Sequence, residues 1–537
     1  MEEDMTGKAP LIIVLLVIAA LATASAAGVL YTLTSPNEEL TGEFGNAVAD
    51  VGDVNQDGYA DVVVGAHRDG IGGMAYVFSG YDGSVLHVLE SLSPGFDRRF
   101  GGAVSGAGDI NSDGYPDIIV GARKEDSGSS IEFNGRVYIF SGVDGTVMRV
   151  LDSMESDGKN FGASVSDIGD VNNDGFPDVI VGATGEAGGK GRVYVISVPT
   201  GEILWSCTGN SVYEYIGYAV SGAGDVNGDG HPDLIVGCYD GDPGGLENAG
   251  EAYVYDVVSD QRLYTLTSPN GEEYGDFGCS VSDAGDLDGD GRSDLLVGAR
   301  YEGSGGRAYA FSGATAGLLH TFSYPQPGKF GSTVSSLGDL DGDGRPEIIV
   351  GAYSVDTDSI DAGRAFIFSG ASGDLLYTLE SPNETTEGYF GVSISGAGDV
   401  NNDGFDDVVV GAPGENPGGS PRDAGRAYIF DLMGVSAEPG TIEPLVSGLR
   451  LVGPYPNPTS GRVEISLEIQ EEGQRRVDLS LYDITGRRVN RVLSRELSGG
   501  STVKLTWVPK SATPSGVYWW RLSAGDKSVE KAMVIVR

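Results

Sequence analysis

One pattern of apolar and polar positions recurs seven times between about residues 29 and 431. Each copy opens on an apolar-Gly dipeptide: Phe44-Gly45, Phe100-Gly101, Phe161-Gly162, Ile216-Gly217, Phe277-Gly278, Phe330-Gly331 and Phe390-Gly391. A short apolar stretch follows, then an acidic loop reading Gly-Asp-x-Asn/Asp-x-Asp-Gly-x-x-Asp, then an apolar run ending Val-Gly-Ala. The first aspartates of the loops recur at intervals of 53 to 61 residues. Such a period marks a repeat architecture, whose fold is read from one unit.

The second unit serves. A short strand is predicted at Ala103–Ala107. The β-branched run Asp117–Ala122 suits a buried strand, and Gly135–Ser141 alternates apolar with polar. A Gly-rich turn leads to a fourth strand at Thr146–Leu151. No helix signal interrupts the four. Seven four-stranded units predict an all-β fold, a seven-bladed β-propeller. A β-solenoid is the alternative, but its turns are usually shorter and more uniform. The seventh unit runs through Arg426–Phe430 and lacks an outer strand like Leu375–Leu379 of the sixth. Val29–Leu33 with Ser35-Pro36-Asn37 copies that strand and its Ser381-Pro382-Asn383 sequel, so the N-terminal strand is expected to complete the last blade and remove two open sheet edges.

After a Pro-containing linker at 432–447, strands are predicted at Val463–Ile469, Val477–Tyr482, Val489–Leu493, Val503–Trp507, Gly516–Leu522 and Ser528–Val536. About seven short strands in this length suggest an Ig-like β-sandwich over 448–537. At the other end, Leu11 to Ala22 is apolar and Ala24 and Ala26 suit a cleavage site, which reads as an export signal over 1–27. Glu2, Glu3 and Asp4 beside only Lys8 are unusual for a signal, and an uncleaved anchor is the alternative.

Composition changes the picture at two points. The 86 glycines have no G-X-Y period and point to many turns. The net charge of −44 is unevenly spread: residues 1–447 carry 20 Lys+Arg against 69 Asp+Glu, and the remainder 14 against 9. An acidic body disfavours nucleic acid and anionic membranes and favours cations. Cys207, Cys238 and Cys279 are too few for a disulfide framework and read as small buried side chains, with one bridging pair as the alternative.

The carboxylates are placed in a pattern. Loop positions 1, 3, 5 and 9 offer side-chain oxygens and position 7 a carbonyl. These are Asp53, Asn55, Asp57, Tyr59 and Asp61 in the first loop, and Asp109, Asn111, Asp113, Tyr115 and Asp117 in the second. The third has Asp170, Asn172, Asp174, Phe176 and Asp178; the fourth Asp225, Asn227, Asp229, His231 and Asp233. The fifth has Asp286, Asp288, Asp290, Arg292 and Asp294; the sixth Asp339, Asp341, Asp343, Arg345 and Glu347. The seventh has Asp399, Asn401, Asp403, Phe405 and Asp407. Hard oxygen donors at this spacing suit Ca²⁺, in up to seven structural sites. Like charges crowded into a tight turn repel unless a cation offsets them. An Asx-rich turn without metal is the bland reading of one loop, and seven copies weaken it. The Glu that closes an EF-hand at position 12 is missing: Val64 stands there in the first unit.

The Phe-Gly opening, the DxNxDGxxD loop and the VGA ending resemble the FG-GAP repeats of integrin α-subunit propellers over about residues 29–431. The resemblance implies structural Ca²⁺ in the loops and blade packing by the Phe-Gly and Gly-Ala residues. Integrin propellers have fewer metal loops than blades; here every unit has one. In the tail, Tyr455-Pro-Asn-Pro458, Leu481–Arg487, Ser515-Gly-Val-Tyr518 and Lys531-Ala-Met-Val534 resemble the C-terminal sorting domain of the bacterial type IX secretion system. That implies export through the secretion machinery. A purely structural sandwich is the alternative.

Strand order places the acidic loops at one end of the blades and the long, variable segments at the other. Variable loops on a rigid scaffold suit recognition. The residues just after each Gly-Ala (Gly-Cys in the fourth unit) differ and are expected to ring the centre of that end: His67, Arg123, Thr184, Tyr239, Arg300, Tyr353 and Pro413. No HExxH, GxSxG or Walker A pattern is present, and Gly188–Gly191 lacks the Ser/Thr and helix of a phosphate loop. The reading is a secreted or cell-surface binding or adhesion scaffold, not an enzyme, with an extracellular protein or glycan as partner. A hydrolase or lyase using the variable face is the alternative.

Overall fold

The computed structural model describes residues 28–432 and 449–535, apart from segments at 38–40, 94, 126–133, 154–158, 341, 417–422, 456–462, 470–473, 484–486, 499–500, 508–515 and 525–526. The expected signal or anchor, almost all of the linker and Asp341 lie outside the described residues.

Each repeat forms one antiparallel four-stranded sheet, and seven such sheets follow one another up to Asp431. In the second, Phe100–Gly108, Asp117–Ala122, Arg136–Phe140 and Val147–Asp152 pair in that order. The first strand thus starts at Phe100 and not at Ala103. Its pairing shifts register between Phe100 and Ala103, because Gly101 sits at a φ of 77° and lets the strand bulge without ending. In place of an outer strand of its own, the last sheet takes Gly28–Leu33, with Thr32 opposite Tyr428 and Leu33 opposite Ala427.

The second strand of a blade, Asp61–Ala66 for example, is buried throughout because its sheet lies between two others. Val63 joins an apolar cluster with Phe100, Ile118 and Tyr138 of the second blade. Its neighbours Val62 and Val64 join one with Val409 and Ile429 of the seventh. Every junction between consecutive sheets has such a cluster, the seventh-to-first junction included, so the ring is closed.

The motif glycines make the junctions close. A Cβ on Gly65 would lie 2.1 Å from the carbonyl oxygen of Gly101 in the next blade, and one on Gly101 would lie 2.1 Å from that of Met74. Corresponding approaches recur around the ring, and at its closure a Cβ on Gly411 would meet Gly45 at 1.9 Å. The Phe-Gly and Gly-Ala dipeptides are therefore two sides of one seam.

A second repeated device is polar. Three residues after the Gly-Ala, a buried carboxylate accepts hydrogen bonds from a third-strand tyrosine and from a serine of the preceding link. Glu125 takes them from Tyr138 at 2.5 Å and Ser91 at 2.7 Å. Asp69 with Tyr76 and Ser35, Glu186 with Tyr194 and Ser153, and Glu415 with Tyr428 and Ser381 repeat the arrangement. In the sixth blade Val355 and Phe366 occupy both places and are buried. Replacing both partners together leaves no orphaned polar group.

The tail forms two antiparallel sheets. One holds Leu449–Tyr455, Val463–Ile469 and Ser501–Trp507. The other holds Arg488–Ser498, Gln474–Asp483, Gly516–Ala524 and Lys527–Ile535. Leu449–Tyr455 was not among the predicted strands; its central Gly453-Pro454 masks the alternation. One departure concerns the propeller. Glu186–Gly189 forms a single helical turn in a connection read as helix-free, with Ala187 and Gly188 at positive φ. All three cysteines are free thiols, so no pair bridges: Cys238 and Cys279 are buried, and Cys207 partly so.

Two outcomes are expected. Gly65→Ala should lower stability by about 1–3 kcal/mol, since backbone stands where the methyl would go; chemical denaturation of the variant checks it. Burial pushes Glu415 up to about 7 from an ordinary value near 4.5. The fold therefore favours the protonated acid. Its contribution is complete below about pH 4.5 and is lost as pH rises through 7, at most about 3 kcal/mol. Glu415→Gln should flatten that part of the profile, read as the difference in unfolding midpoint between pH 5 and pH 8 in saturating Ca²⁺.

Candidate functional site

The acidic loops share one conformation. In the first, Asp53 accepts the N–H groups of Asp57 at 3.0 Å and Gly58 at 2.8 Å, while Asp57 accepts that of Tyr59 at 3.0 Å. The first aspartate makes the same two bonds in the other six loops, to Asp113 and Gly114 in the second and to Asp403 and Gly404 in the seventh, for example. Position 6 is glycine at positive φ throughout, 92° at Gly58. Position 4 is also left-handed in every copy, including Gln56 and Ser112, which adopt it with some strain.

Position 9 does a structural task as well. Asp61 is fully buried and accepts the N–H of Val54 from its own loop and that of Gly80 from the turn between strands three and four, each at 2.9 Å. Asp117 and Asp294 do likewise with Gly142 and Gly313. This carboxylate pins the loop to the neighbouring turn.

Two loops carry further signs of a cation site. Asp286, Asp288 and Asp294 each offer an oxygen within 4.8 Å of the others. Twice a Ca–O distance of about 2.4 Å is the same length, so one ion can bridge them. In the seventh loop, Asn401 Oδ1 and Asp403 Oδ2 are buried and have no hydrogen-bond partner. Burial, with Asp431, Asp403 and Asp399 nearby, pushes Asp407 up to about 10. A divalent cation would answer both conditions. Its chemistry here would be charge neutralisation and loop rigidity. At the fifth loop Arg345 reaches over from the sixth blade, donating to the carbonyl of Asp286 at 3.2 Å and to its Oδ1 at 3.4 Å.

At the opposite end the post-Gly-Ala residues do come together, but through a second ring that the sequence reading overlooked. It consists of the residues just before each Phe-Gly or Ile-Gly: Glu43, Arg99, Asn160, Tyr215, Asp276, Lys329 and Tyr389. All seven have positive φ, between 51° and 60°. Each precedes a turn in which the residue after the glycine donates its N–H back, as Asn46 does to the carbonyl of Glu43 at 3.2 Å. The backbone thus projects variable side chains from a strained position, a placement associated with functional sites. A recurrent non-Gly residue before Phe-Gly was the available signal.

The two rings interlock. His67 Nε2 lies 3.1 Å from Glu43, and Arg99 also bonds His67. Asn160 donates to Thr184 at 3.4 Å. Tyr239 stacks on Tyr215 and meets Tyr218 edge-on. Arg300 pairs with Asp276 at 2.8 Å, with its guanidinium within 6.0 Å of the Tyr218, Tyr239 and Tyr301 ring centres. Lys329 donates to the Tyr353 hydroxyl at 3.0 Å, and Tyr389 meets the Tyr353 ring. Burial draws His67 below its ordinary value, against the pull of Glu43. Burial and the nearby Arg99 likewise hold Arg123 below its own. Next to Pro413, Gly414 donates its N–H to the carbonyl of Gly388 at 3.2 Å.

The surroundings of this ring are apolar to an unusual degree. Among the described residues, the five most exposed large apolar side chains are Phe96 (91%), Tyr213 (67%), Ile71 (66%), Leu92 (66%) and Ile360 (63%), and all stand at this end. Two other histidines serve structure: His87 and His320 bond the carbonyls of Gly142 and Gly370 in adjacent blades.

Residues 100–140, 161–196 and 390–430 match the FG-GAP repeat, and 225–297 and 286–350 the FG-GAP-like repeat. Residues 454–536 match the secretion system C-terminal sorting domain. Similar curated proteins include integrin alpha-5 of Xenopus laevis, 34% identical over 251 residues, which are 43% of this chain and 23% of that protein. Integrin alpha-3 of Cricetulus griseus is 36% identical over 198 residues, 33% and 18% of the two chains. Integrin alpha-V of Gallus gallus is 29% identical over 242 residues, 42% and 23%. The chain spans less than a quarter of the length of these relatives. Among solved structures, the Dos1 propeller aligns with a TM-score of 0.40 and 10% identity over 70% of this chain and 76% of its own, a likeness too slight to build on.

Proposed function

We propose that this chain, which carries FG-GAP repeats and a secretion sorting tail, is an exported, calcium-loaded scaffold that binds an extracellular ligand and does no covalent chemistry. Residues 28–431 are the seven-bladed propeller, 448–537 an Ig-like module that engages the secretion machinery, 432–447 their linker, and 1–27 the export signal or anchor. The product is secreted or held at the cell surface.

The observation that carries this reading is the division of labour between the two ends. One end repeats a single oxygen-rich loop. The other varies in every blade and presents the most exposed apolar side chains, as interaction surfaces do. Binding is favoured over catalysis because the one histidine of that ring and its Arg300 are committed to carboxylates, His67 to Glu43 and Arg300 to Asp276. The likeness to integrin alpha chains supports an adhesive or recognition role, and the sorting-domain match supports export.

Calcium is tested by melting the protein in excess EGTA and in Ca²⁺. Each site filled at 100 times its dissociation constant adds about 2.7 kcal/mol. The melting temperature should therefore rise by many degrees with Ca²⁺ and by less with Mg²⁺. Asp286→Asn with Asp288→Asn should remove part of the rise. Identical melting in Ca²⁺ and EGTA would overturn the metal assignment.

A further inference from the structure

The recognition end is not uniform, and one part of it has a shape and a chemistry of its own. Between the fifth and sixth blades lies a cleft of about 560 Å³, a size suited to a small ligand. Arg300, Tyr301 and Lys329 line it together with Asp356, Ile360 and Asp361. Glycines line much of the rest. A Cβ on Gly305 would lie 2.5 Å from the carbonyl oxygen of Gln326, and one on Gly328 would lie 2.3 Å from Val355. The Gln326 carbonyl behind Gly305 and the Val355 side chain behind Gly328 leave no room for a larger residue at either place.

Two cations share one aromatic ring. The Arg300 guanidinium is 5.3 Å and the Lys329 ammonium 5.9 Å from the centre of Tyr301, which is 49% exposed. The charge of Arg300 is matched by Asp276. Lys329 instead sits 4.6 Å over the ring of Tyr353 and bonds its hydroxyl, and among the described residues it forms no ion pair. In a segment with 20 basic against 69 acidic residues, an ammonium without a carboxylate beside it is a notable placement. Asp356, which also lines the cleft, is exposed, and one of its oxygens accepts the N–H of Asp361 at 2.9 Å, so acceptor capacity remains.

We infer that this cleft binds a carboxylated saccharide, a uronate, with its carboxylate on Lys329, the C–H face of its ring on Tyr301 and its hydroxyls donating to Asp356 and Asp361. The inference rests on the reading of the variable end as the recognition surface. Each element of the site selects against other ligands. A neutral sugar leaves Lys329 unanswered. Phosphorylated or multiply acidic ligands bring excess negative charge against Asp356, Asp361 and the field of the acidic propeller. An apolar ligand strands three charged groups. A second cleft at this end, lined by Glu214, Asp240, Asp242, Glu247 and Glu251, repels any anion and serves as an internal contrast.

The test is calorimetry on the full chain in saturating Ca²⁺, with the methyl glycosides of galacturonate, glucuronate and mannuronate, their carboxyl-reduced neutral counterparts, and an Asp/Glu tetrapeptide. At least one uronate should bind at least tenfold more tightly than its neutral counterpart and than the peptide. Lys329→Gln and Tyr301→Ala should each weaken it at least tenfold without moving the melting temperature, and Glu247→Gln should leave it unchanged. Failure of all three uronates, or preference for the peptide or the neutral sugar, overturns the inference and leaves the recognition face standing. Uronate binding indifferent to Lys329→Gln also overturns it, by placing the ligand elsewhere. Footprinting that puts the bound uronate on the acidic loops overturns both the inference and the recognition face.

Discussion

How closely seven sheets can approach one another around a common axis controls everything else in this molecule. The approach is set where the glycine of a Val-Gly-Ala run meets the carbonyl of the next Phe-Gly, as Gly65 meets Gly101 and Gly411 meets Gly45. No side chain fits there. With backbone against backbone, the second strands are fully buried and the alternating valines and isoleucines interlock with those of the blades on either side. The N-terminal strand then needs only to complete the seventh sheet for the ring to have no open junction.

The same seam orders the two ends. The glycine after each Phe (Ile216 in the fourth blade) permits a tight turn, and that turn holds the residue before the Phe or Ile in a left-handed conformation in all seven blades. That residue and the one after Gly-Ala become neighbours, giving the central double ring. At the other end the position-9 carboxylate of the first, second and fifth blades bonds the turn between strands three and four, so those acidic loops are braced by their own blades. Loop and seam are thus structural, and the variable segments are free to differ.

Much of this was legible in the residues. The repeat, the four-strand unit and the borrowed N-terminal strand follow from periodicity and local copies, because each blade repeats the same local solution. Other features depend on contacts between distant positions. Glu125 and Tyr138 do not announce themselves as partners, and only the joint replacement by Val355 and Phe366 in the sixth blade shows that they form a unit. Arg345 looks like a loop residue of the sixth unit, yet it bonds Asp286 of the fifth. Lys329 and Tyr389 lie in links with no pattern of their own; their importance comes from the turn that follows them. The strand at Leu449–Tyr455 was hidden by its Gly-Pro interruption.

The account stands on the separation of a cation-bearing end from a ligand-bearing end. The most direct measurement is a long-wavelength anomalous difference map from crystals grown in saturating Ca²⁺. The account predicts a peak in each of the seven acidic loops, within about 2.3–2.6 Å of the ligand oxygens, and none in the cleft beside Lys329. Loops without anomalous density at saturating Ca²⁺, with peaks at the variable end instead, would contradict it.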